Sequence, residues 1–242
     1  MDANASARTT TGASKEIGLK AIVRVVLVTL LMPAVLFGSA NRLDWVMGWV
    51  FFGLLVVTSI VSRVAMLRKY PDLAAERARS LEAEDAKAWD KVLVPLVAIV
   101  GPMVTWAVAG LNVRFGWLPE VSPAVQIAAI AIVVLGYAFA SWAMASNPFF
   151  SGTVRIQADR GHTVVSDGPY RIVRHPAYTG AFVSGLATPL LLGSWWALIP
   201  AGLTTVLLVV RTALEDRTLQ EELDGYQEFA RQVRYRLLPG VW

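Results

Sequence analysis

The sequence contains no cysteine and only two histidines, His162 and His175, among its 242 residues. Without cysteine the chain cannot form disulfides, use a thiolate nucleophile or bind zinc or iron–sulfur clusters through sulfur. Two histidines are too few for a multi-histidine metal site, so we expect no metal centre. Charged residues are also scarce, at 17% of the chain, where an ordinary soluble domain has about 25%.

What the chain has instead is apolar sequence. Hydrophobic residues make up 55% of it, the mean hydropathy is +0.52, and several runs of about 20 residues are almost free of charge. A helix of roughly 20 apolar residues crosses the ~30 Å hydrocarbon core of a bilayer. In lipid the backbone must satisfy its own hydrogen bonds, which favours helices. The composition therefore predicts an all-α, polytopic transmembrane bundle.

Six spans are predicted, at about 17–40, 45–67, 92–111 and 123–145 and in the two halves of 177–214. The last two form a helical hairpin, because Gly193-Ser194-Trp195-Trp196 interrupts an apolar run too long for one crossing. Residues 1–16 are predicted to be a disordered tail, with no removable signal peptide, and residues near 74–88 an amphipathic surface helix. We divide the chain into this tail, an N-terminal span region (17–122) and a core of spans four to six with the C-terminal tail (123–242).

The net charge of +4 and the pI near 9.6 would suit nucleic acid, but basic residues also collect in the cytoplasmic loops of membrane proteins. If the N-terminus is cytoplasmic, 20 of the 22 Lys and Arg residues fall in or beside segments on the cytoplasmic side of the membrane. Only Arg42 and Arg114 fall on the opposite side. We therefore predict no nucleic-acid partner. The expected location is the inner or plasma membrane, with anionic lipids as neighbours and both termini cytoplasmic.

Polar residues concentrate in two segments that flank the hairpin, 157–180 and 211–222. Taken singly, their residues suit an ordinary cytoplasmic loop. His175 and Tyr178, however, lie one helical turn apart where the fifth span begins, and Pro176 suits a first helical turn. Such a helix start also offers backbone N–H groups to a carboxylate.

The second segment begins with Arg211 and Glu215, spaced i,i+4 at the end of the sixth span. This spacing fits a surface salt bridge and a functional ionisable pair equally well. Asp216, Glu221 and Glu222 are interpreted as solvent-facing helix charges. Dinucleotide-binding, phosphate-loop and Gly-x-Ser-x-Gly motifs are all absent from the sequence.

These same residues carry a family resemblance. Four features carry it: the run Gly168-Pro169-Tyr170 and Arg174-His175-Pro176-Ala177-Tyr178-Thr179-Gly180, the hairpin, Arg211 with Glu215-Asp216, and the ending Gly225-Tyr226 to Tyr235-Arg236-Leu237-Leu238-Pro239. Together they resemble the isoprenylcysteine carboxyl methyltransferase family. The resemblance covers about residues 145–242. It implies an integral membrane methyltransferase that uses S-adenosylmethionine in a cytoplasmic pocket; the wider group includes phospholipid N-methyltransferases.

Carried over by position, the resemblance also implies site residues. Arg211 and Glu215 would be catalytic, with Arg211 facing the acceptor. The cofactor would be bound by Gln157, His162, Thr163, Val164, Val165, Tyr170, His175, Pro176, Ala177, Tyr178 and Glu215. This chain departs from the family in having Glu215-Asp216 where two glutamates are common, and in a short loop between Gln157 and His162.

The acceptor is expected to be lipophilic or amphiphilic and to enter from the bilayer. The residues do not distinguish a prenylated cysteine carboxylate from a phospholipid amine or a small hydrophobic thiol or acid. One alternative is an NADPH-dependent membrane reductase of the sterol-reductase type, but that group is expected to have Arg-His-x-Asn-Tyr where this chain has Pro176-Ala177 after His175. Another is a transporter or scaffold, which the scarcity of ionisable residues within the spans disfavours.

Overall fold

A computed structural model describes residues 30–70 and 87–242 of the protein. Seven helices lie in these ranges: α1 (Leu30–Ala40), α2 (Val46–Lys69), α3 (Ala88–Phe115), α4 (Pro123–Ser146), α5 (Pro176–Leu191), α6 (Leu198–Glu222) and α7 (Tyr226–Gln232). The described ranges contain no β-strand, only one isolated bridge between Glu120 and Ser194. The predicted all-α class is confirmed.

Four of the helices, α2, α3, α4 and α6, are long and apolar enough to cross a bilayer. Their outward faces are apolar as well: on α2, Val57, Ile60 and Val61 each keep more than half of their surface exposed. In water such a surface would be costly, whereas hydrocarbon covers it without penalty. The protein is therefore an integral membrane protein.

The two remaining predicted spans are only partly accounted for. Of the predicted span at 17–40, the structure describes only α1. The predicted span in the first half of 177–214 corresponds to α5, which has 16 residues and a length of about 24 Å. The predicted tail at 1–16 lies outside the described residues, as does the amphipathic segment near 74–88 except for its last two residues. The count of six spans stays a prediction.

The predicted hairpin of α5 and α6 is confirmed, and its turn is tied to α3. Gly193 takes a positive φ of 81°, which a residue with a side chain rarely adopts. The Ser194 hydroxyl donates to Asn112 Oδ1 over 3.0 Å and accepts the Ala197 N–H over 3.1 Å. The turn thus reverses the chain at the end of the bundle opposite the polar segments.

At the other end of α5, two glycines bring it against α4. A Cβ built on Gly180 would lie 2.3 Å from the carbonyl oxygen of Gly136, so only glycine permits this approach. Small residues at helix crossings are typical of membrane bundles, where close packing drives association. The crossing places the start of α5 beside the end of α4.

Helix α3 is irregular at its middle. Pro95 interrupts the first α-helical part, and Leu96–Val100 follows as a π-helical turn before α-helix resumes at Gly101. A proline removes one backbone donor, and a π-turn accommodates the resulting shift in register.

Buried apolar residues form two clusters. The larger lies among the spans and includes Leu36, Phe51, Val133 and Leu191. The smaller lies beyond the spans, where α6 and α7 meet the loop between α4 and α5, and consists of Ala143, Tyr170, Ala177, Leu223, Tyr226 and Phe229. Two of the predicted cofactor residues, Tyr170 and Ala177, belong to the smaller cluster.

Candidate active site

The C-terminal tail binds the start of α5 through backbone hydrogen bonds. The N–H groups of Arg174 and His175 donate to the carbonyls of Tyr235 (2.9 Å) and Arg236 (3.0 Å). The Thr179 hydroxyl donates to the carbonyl of Leu237 over 2.8 Å. The predicted free donors at this helix start are thus partly occupied, and Ala177 and Tyr178 carry the N–H groups left for a ligand in the first turn of α5.

Asp216 is the centre of a buried polar cluster. Arg174 makes a two-point ion pair with it, at 2.7 and 2.9 Å, and Arg236 Nε donates to it over 2.8 Å. His175 Nε2 lies 3.2 Å from Oδ1 and the Tyr226 hydroxyl donates over 3.1 Å. One carboxylate therefore joins α6, α7, the C-terminal tail and the segment before α5.

The interpretation of Asp216 as a solvent-facing charge is wrong, because its side chain has no exposed surface. Glu221 and Glu222 are exposed, as predicted. Spacing along α6 could not show which of these acidic residues is buried, because Arg174, His175 and Arg236 reach Asp216 from other segments. Burial and the Asp216 charge together raise the pKa of Tyr226 above its ordinary value, so its hydroxyl stays protonated and acts as a donor.

A second cluster lies one turn earlier on α6, around Arg211. Its Nε donates to Asp90 Oδ1 over 2.7 Å and one terminal nitrogen to Oδ2 over 3.2 Å. The other terminal nitrogen contacts the Tyr178 hydroxyl, and the guanidinium carbon lies 4.9 Å from the centre of the Tyr178 ring. That hydroxyl donates to Glu215 Oε2 over 2.6 Å.

Arg211 and Glu215 are therefore joined mainly through Tyr178. Their own separation is 4.0 Å, beyond hydrogen-bonding distance. The simple i,i+4 salt bridge is the weaker contact, and the pair forms part of a buried network between α3, α5 and α6.

Asp90 is the residue that sequence reasoning missed. It belongs to the first turn of α3 and is fully buried, yet in the sequence it ends a charged stretch that reads as a cytoplasmic loop. The available signal was its place at the entry of a span, where an acidic residue needs a partner.

A cavity opens over these two clusters on the side of the smaller apolar cluster. Its volume is about 90 Å³. We call it the polar cavity; its walls are the loop 147–165, the stretch from Tyr170 into the first turn of α5, and the facing sides of α6 and α7. Arg155, which lines it, pairs with Asp159 over 3.6 Å.

Ten of the eleven residues to which the resemblance assigns cofactor binding line the polar cavity: His162, Thr163, Val164, Val165, Tyr170, His175, Pro176, Ala177, Tyr178 and Glu215. Gln157 does not line it. Its amide donates to the carbonyl of Phe149 over 2.6 Å and accepts from Arg160 over 2.6 Å, while 1% of its surface is exposed. Gln157 thus holds the loop together from within.

His162 is held in its neutral form. Its Nδ1 accepts the backbone N–H of Gln157 over 3.3 Å, which requires an unprotonated nitrogen. Burial lowers the pKa of the imidazole, and the charges of Arg160 and Arg155 lower it further. The ring packs on Phe149 with 4.6 Å between centres.

A second, larger cavity of about 390 Å³ lies among the spans on the other side of Arg211. Helices α5 and α6 line both cavities at successive turns: Ala177 and Tyr178 face the polar cavity, and Ala181, Ser184 and Gly185 the second one. Most of its hydroxyls donate to carbonyls of their own helices, as Ser184 does to Gly180 over 2.7 Å. We call it the apolar cavity.

Comparisons with known proteins match segments that form the polar cavity. Residues 129–221 match the family model described as the isoprenylcysteine carboxyl methyltransferase family. A protein-S-isoprenylcysteine O-methyltransferase of Schizosaccharomyces pombe is 31% identical over 118 residues, which are 45% of this chain and 47% of that protein. A delta(14)-sterol reductase of Mus musculus is 32% identical over 109 residues, 40% of this chain and 24% of that protein.

The predicted family resemblance is confirmed over residues 129–221. The chain spans less than half the length of either relative. The match supports a membrane methyltransferase more strongly than a reductase, because the reductase is covered over only 24% of its length. Asp90 lies outside the range that the family model matches.

Proposed function

We propose that this relative of the isoprenylcysteine carboxyl methyltransferases is an S-adenosylmethionine-dependent membrane methyltransferase acting on a lipophilic or amphiphilic acceptor. The observation that carries the proposal is the polar cavity, whose walls bring together ten residues that the resemblance assigns to the cofactor. Nine of them lie between His162 and Tyr178, and the tenth, Glu215, reaches the same cavity from α6.

The polar cavity suits the cofactor in chemistry, because its lining offers an anionic group, a cationic group and aromatic rings. Glu215 offers a carboxylate to an ammonium or sulfonium cation. Arg155 and the first-turn N–H groups of α5 suit a carboxylate, and the Tyr170 ring offers an aromatic face to adenine.

S-adenosylmethionine would supply a methyl group already activated on a sulfonium. An acceptor lone pair would take this methyl group, and the electrons of the broken sulfur–carbon bond would stay on sulfur. The chain's own task is to align the two partners and exclude water. Tyr178 and Glu215 lie at the floor of the polar cavity, where their ring and carboxylate would stabilise positive charge.

The apolar cavity suits the tail of the acceptor. Along α6 it ends at Leu208, and the polar cavity begins at Glu215, seven residues or about 10 Å further. Arg211 lies between them, and four of its five N–H groups point at Asp90, Gly152 and Tyr178. The fifth would orient an acceptor carboxylate. For an amine acceptor, Glu215 would instead stabilise the cation.

The proposed orientation places the polar cavity and both termini on the cytoplasmic side of the inner or plasma membrane. The excess of basic residues on that side supports it. The soluble cofactor would then enter from the cytoplasm and the acceptor from the bilayer.

The test is to purify the protein in native lipid and incubate it with S-adenosylmethionine labelled in the methyl group. Mass spectrometry then identifies labelled lipids and peptides. We expect label in an apolar acceptor, and less label when Glu215→Gln replaces the wild type. Label that is absent from wild-type samples across lipid and prenylated-peptide mixtures would contradict the proposal.

A further inference from the structure

The contact between Asp90 and Arg211 points to a role for the N-terminal half of the chain in the site. We propose that Asp90 is a positioning residue that holds the Arg211 guanidinium away from Glu215, which leaves the Glu215 carboxylate to the polar cavity. This inference rests on the proposed function and extends it to a helix outside the matched residues 129–221.

The geometry shows a competition between two carboxylates for one guanidinium. Asp90 takes two of its nitrogens, at 2.7 and 3.2 Å, and Glu215 lies 4.0 Å from the third. Asp90 and Arg211 are 0% and 5% exposed, so water screens neither partner. The two-point pair with Asp90 therefore dominates, since bidentate pairing is the strong arrangement for arginine.

The Tyr178 hydroxyl lies between Arg211 and Glu215 and helps to keep them apart. It reaches Glu215 over 2.6 Å and also contacts Arg211, so it occupies the space between cation and carboxylate. If Asp90 lost its charge, Glu215 would be the nearest remaining anion to the buried guanidinium among the residues that the structure describes. An uncompensated buried charge is costly, so pairing with Glu215 would be favoured. Arg211 would then close on Glu215.

Asp90 also holds the wall of the polar cavity. Its Oδ2 accepts the Val154 N–H over 2.7 Å, and the Lys87 N–H donates to the Val154 carbonyl over 3.2 Å. Val154 lines the polar cavity. A single buried carboxylate thus joins the cavity wall to the arginine that would face the acceptor.

The experiment compares S-adenosylmethionine binding by calorimetry in Asp90→Asn, Arg211→Gln and the double variant, all in lipid nanodiscs. Asp90→Asn is expected to weaken binding about tenfold or more, because a captured Glu215 no longer bonds the cofactor. Adding Arg211→Gln removes the capturing cation, so the double variant is expected to bind within about threefold of wild type. A purely structural role for Asp90 predicts no such rescue.

Glu222→Gln is the matched control. It breaks the 2.6 Å ion pair with Lys87, which joins the same two parts of the chain at the surface, and it should leave binding unchanged. If Asp90→Asn does not fold, as judged by thermal unfolding, the smaller uncharged Asp90→Ser replaces it in the same comparison, with the same rescue expected.

The outcomes separate the two proposals. If the wild type binds S-adenosylmethionine, either of two results overturns the role of Asp90 alone. In the first, the double variant binds as weakly as Asp90→Asn; in the second, Asp90→Asn binds no more weakly than Glu222→Gln. A wild-type protein that does not bind S-adenosylmethionine overturns the proposed function and this inference with it.

Discussion

The Tyr178 hydroxyl donates a hydrogen bond to Glu215 over 2.6 Å and joins the first turn of α5 to the end of α6. The two residues are 37 positions apart, and the hairpin brings them together at the floor of the polar cavity. His175 stacks in parallel on the same Tyr178 ring, with 5.8 Å between centres. These contacts predict how the site responds to substitution.

Changes to these side chains should weaken cofactor binding by different amounts. Tyr178→Ala removes a cavity wall and Glu215→Gln a charge, so each should raise the S-adenosylmethionine Kd about tenfold or more. His175→Ala should also weaken binding, because the stacked Tyr178 ring loses its support. Tyr178→Phe keeps the ring and should have the smallest effect. Calorimetry measures all four, and a Glu215→Gln variant that binds as wild type would remove Glu215 from the site.

Arg211 should act on the acceptor more than on the cofactor. Arg211→Ala is expected to lower turnover on the order of 100-fold, because the acceptor is no longer aligned, while the cofactor Kd changes less. The measurement is methyl transfer to an S-farnesylcysteine peptide at saturating cofactor. Unchanged methylation of an accepted substrate would show that the acceptor role is wrong.

The cluster around Asp216 should govern stability. Asp216→Asn leaves Arg174 without its two-point partner and should cost about 3–5 kcal/mol of unfolding free energy. Thermal unfolding in detergent measures the loss. Glu221→Gln breaks the exposed Arg217 pair on the same helix and should leave the unfolding temperature unchanged. Equal effects of the two substitutions would contradict the assignment.

The apolar cavity predicts a cavity-filling substitution that separates the two partners. A Cβ on Gly185 meets no atom within 4 Å, and Gly185 lines the cavity. Gly185→Leu should therefore raise the KM for a lipophilic acceptor and leave the cofactor Kd unchanged. Gly202→Leu is the control, because Gly202 also has open space but does not line the cavity. An acceptor KM that responds equally to both would place the tail elsewhere.

The lowered pKa of His162 predicts a pH dependence of stability. An unfolded histidine titrates near 6.5, and the folded ring below that, so the unfolded state binds the proton first. Stability should be complete above about pH 6.5 and fall as the pH drops through the folded value. His162→Asn keeps an acceptor for the Gln157 N–H but does not titrate. Its unfolding temperature should fall less between pH 7 and 5 than that of the wild type.

Much of the fold could be predicted because apolar run length is a local property. The predicted spans at 45–67 and 123–145 correspond to α2 and α4 within two residues at each end. The hairpin followed from Gly193 and its neighbours. The π-helical turn in α3 could not be predicted, since Pro95 alone does not reveal one.

For the site, composition and motif indicated the segments but not the partners. His175, Tyr178 and Glu215 could be placed by motif. Asp90 could not, because its contact with Arg211 spans 121 positions and depends on how α3 packs against α6. Asp216 was misjudged for the same reason: its burial depends on segments that pack over it from both earlier and later in the chain.

The most direct test of the central claim is equilibrium binding of radiolabelled S-adenosylmethionine and NADPH to the purified protein in lipid nanodiscs. We expect saturable binding of S-adenosylmethionine that is weakened by Glu215→Gln, and no saturable binding of NADPH. Saturable NADPH binding without S-adenosylmethionine binding would contradict it and favour a reductase.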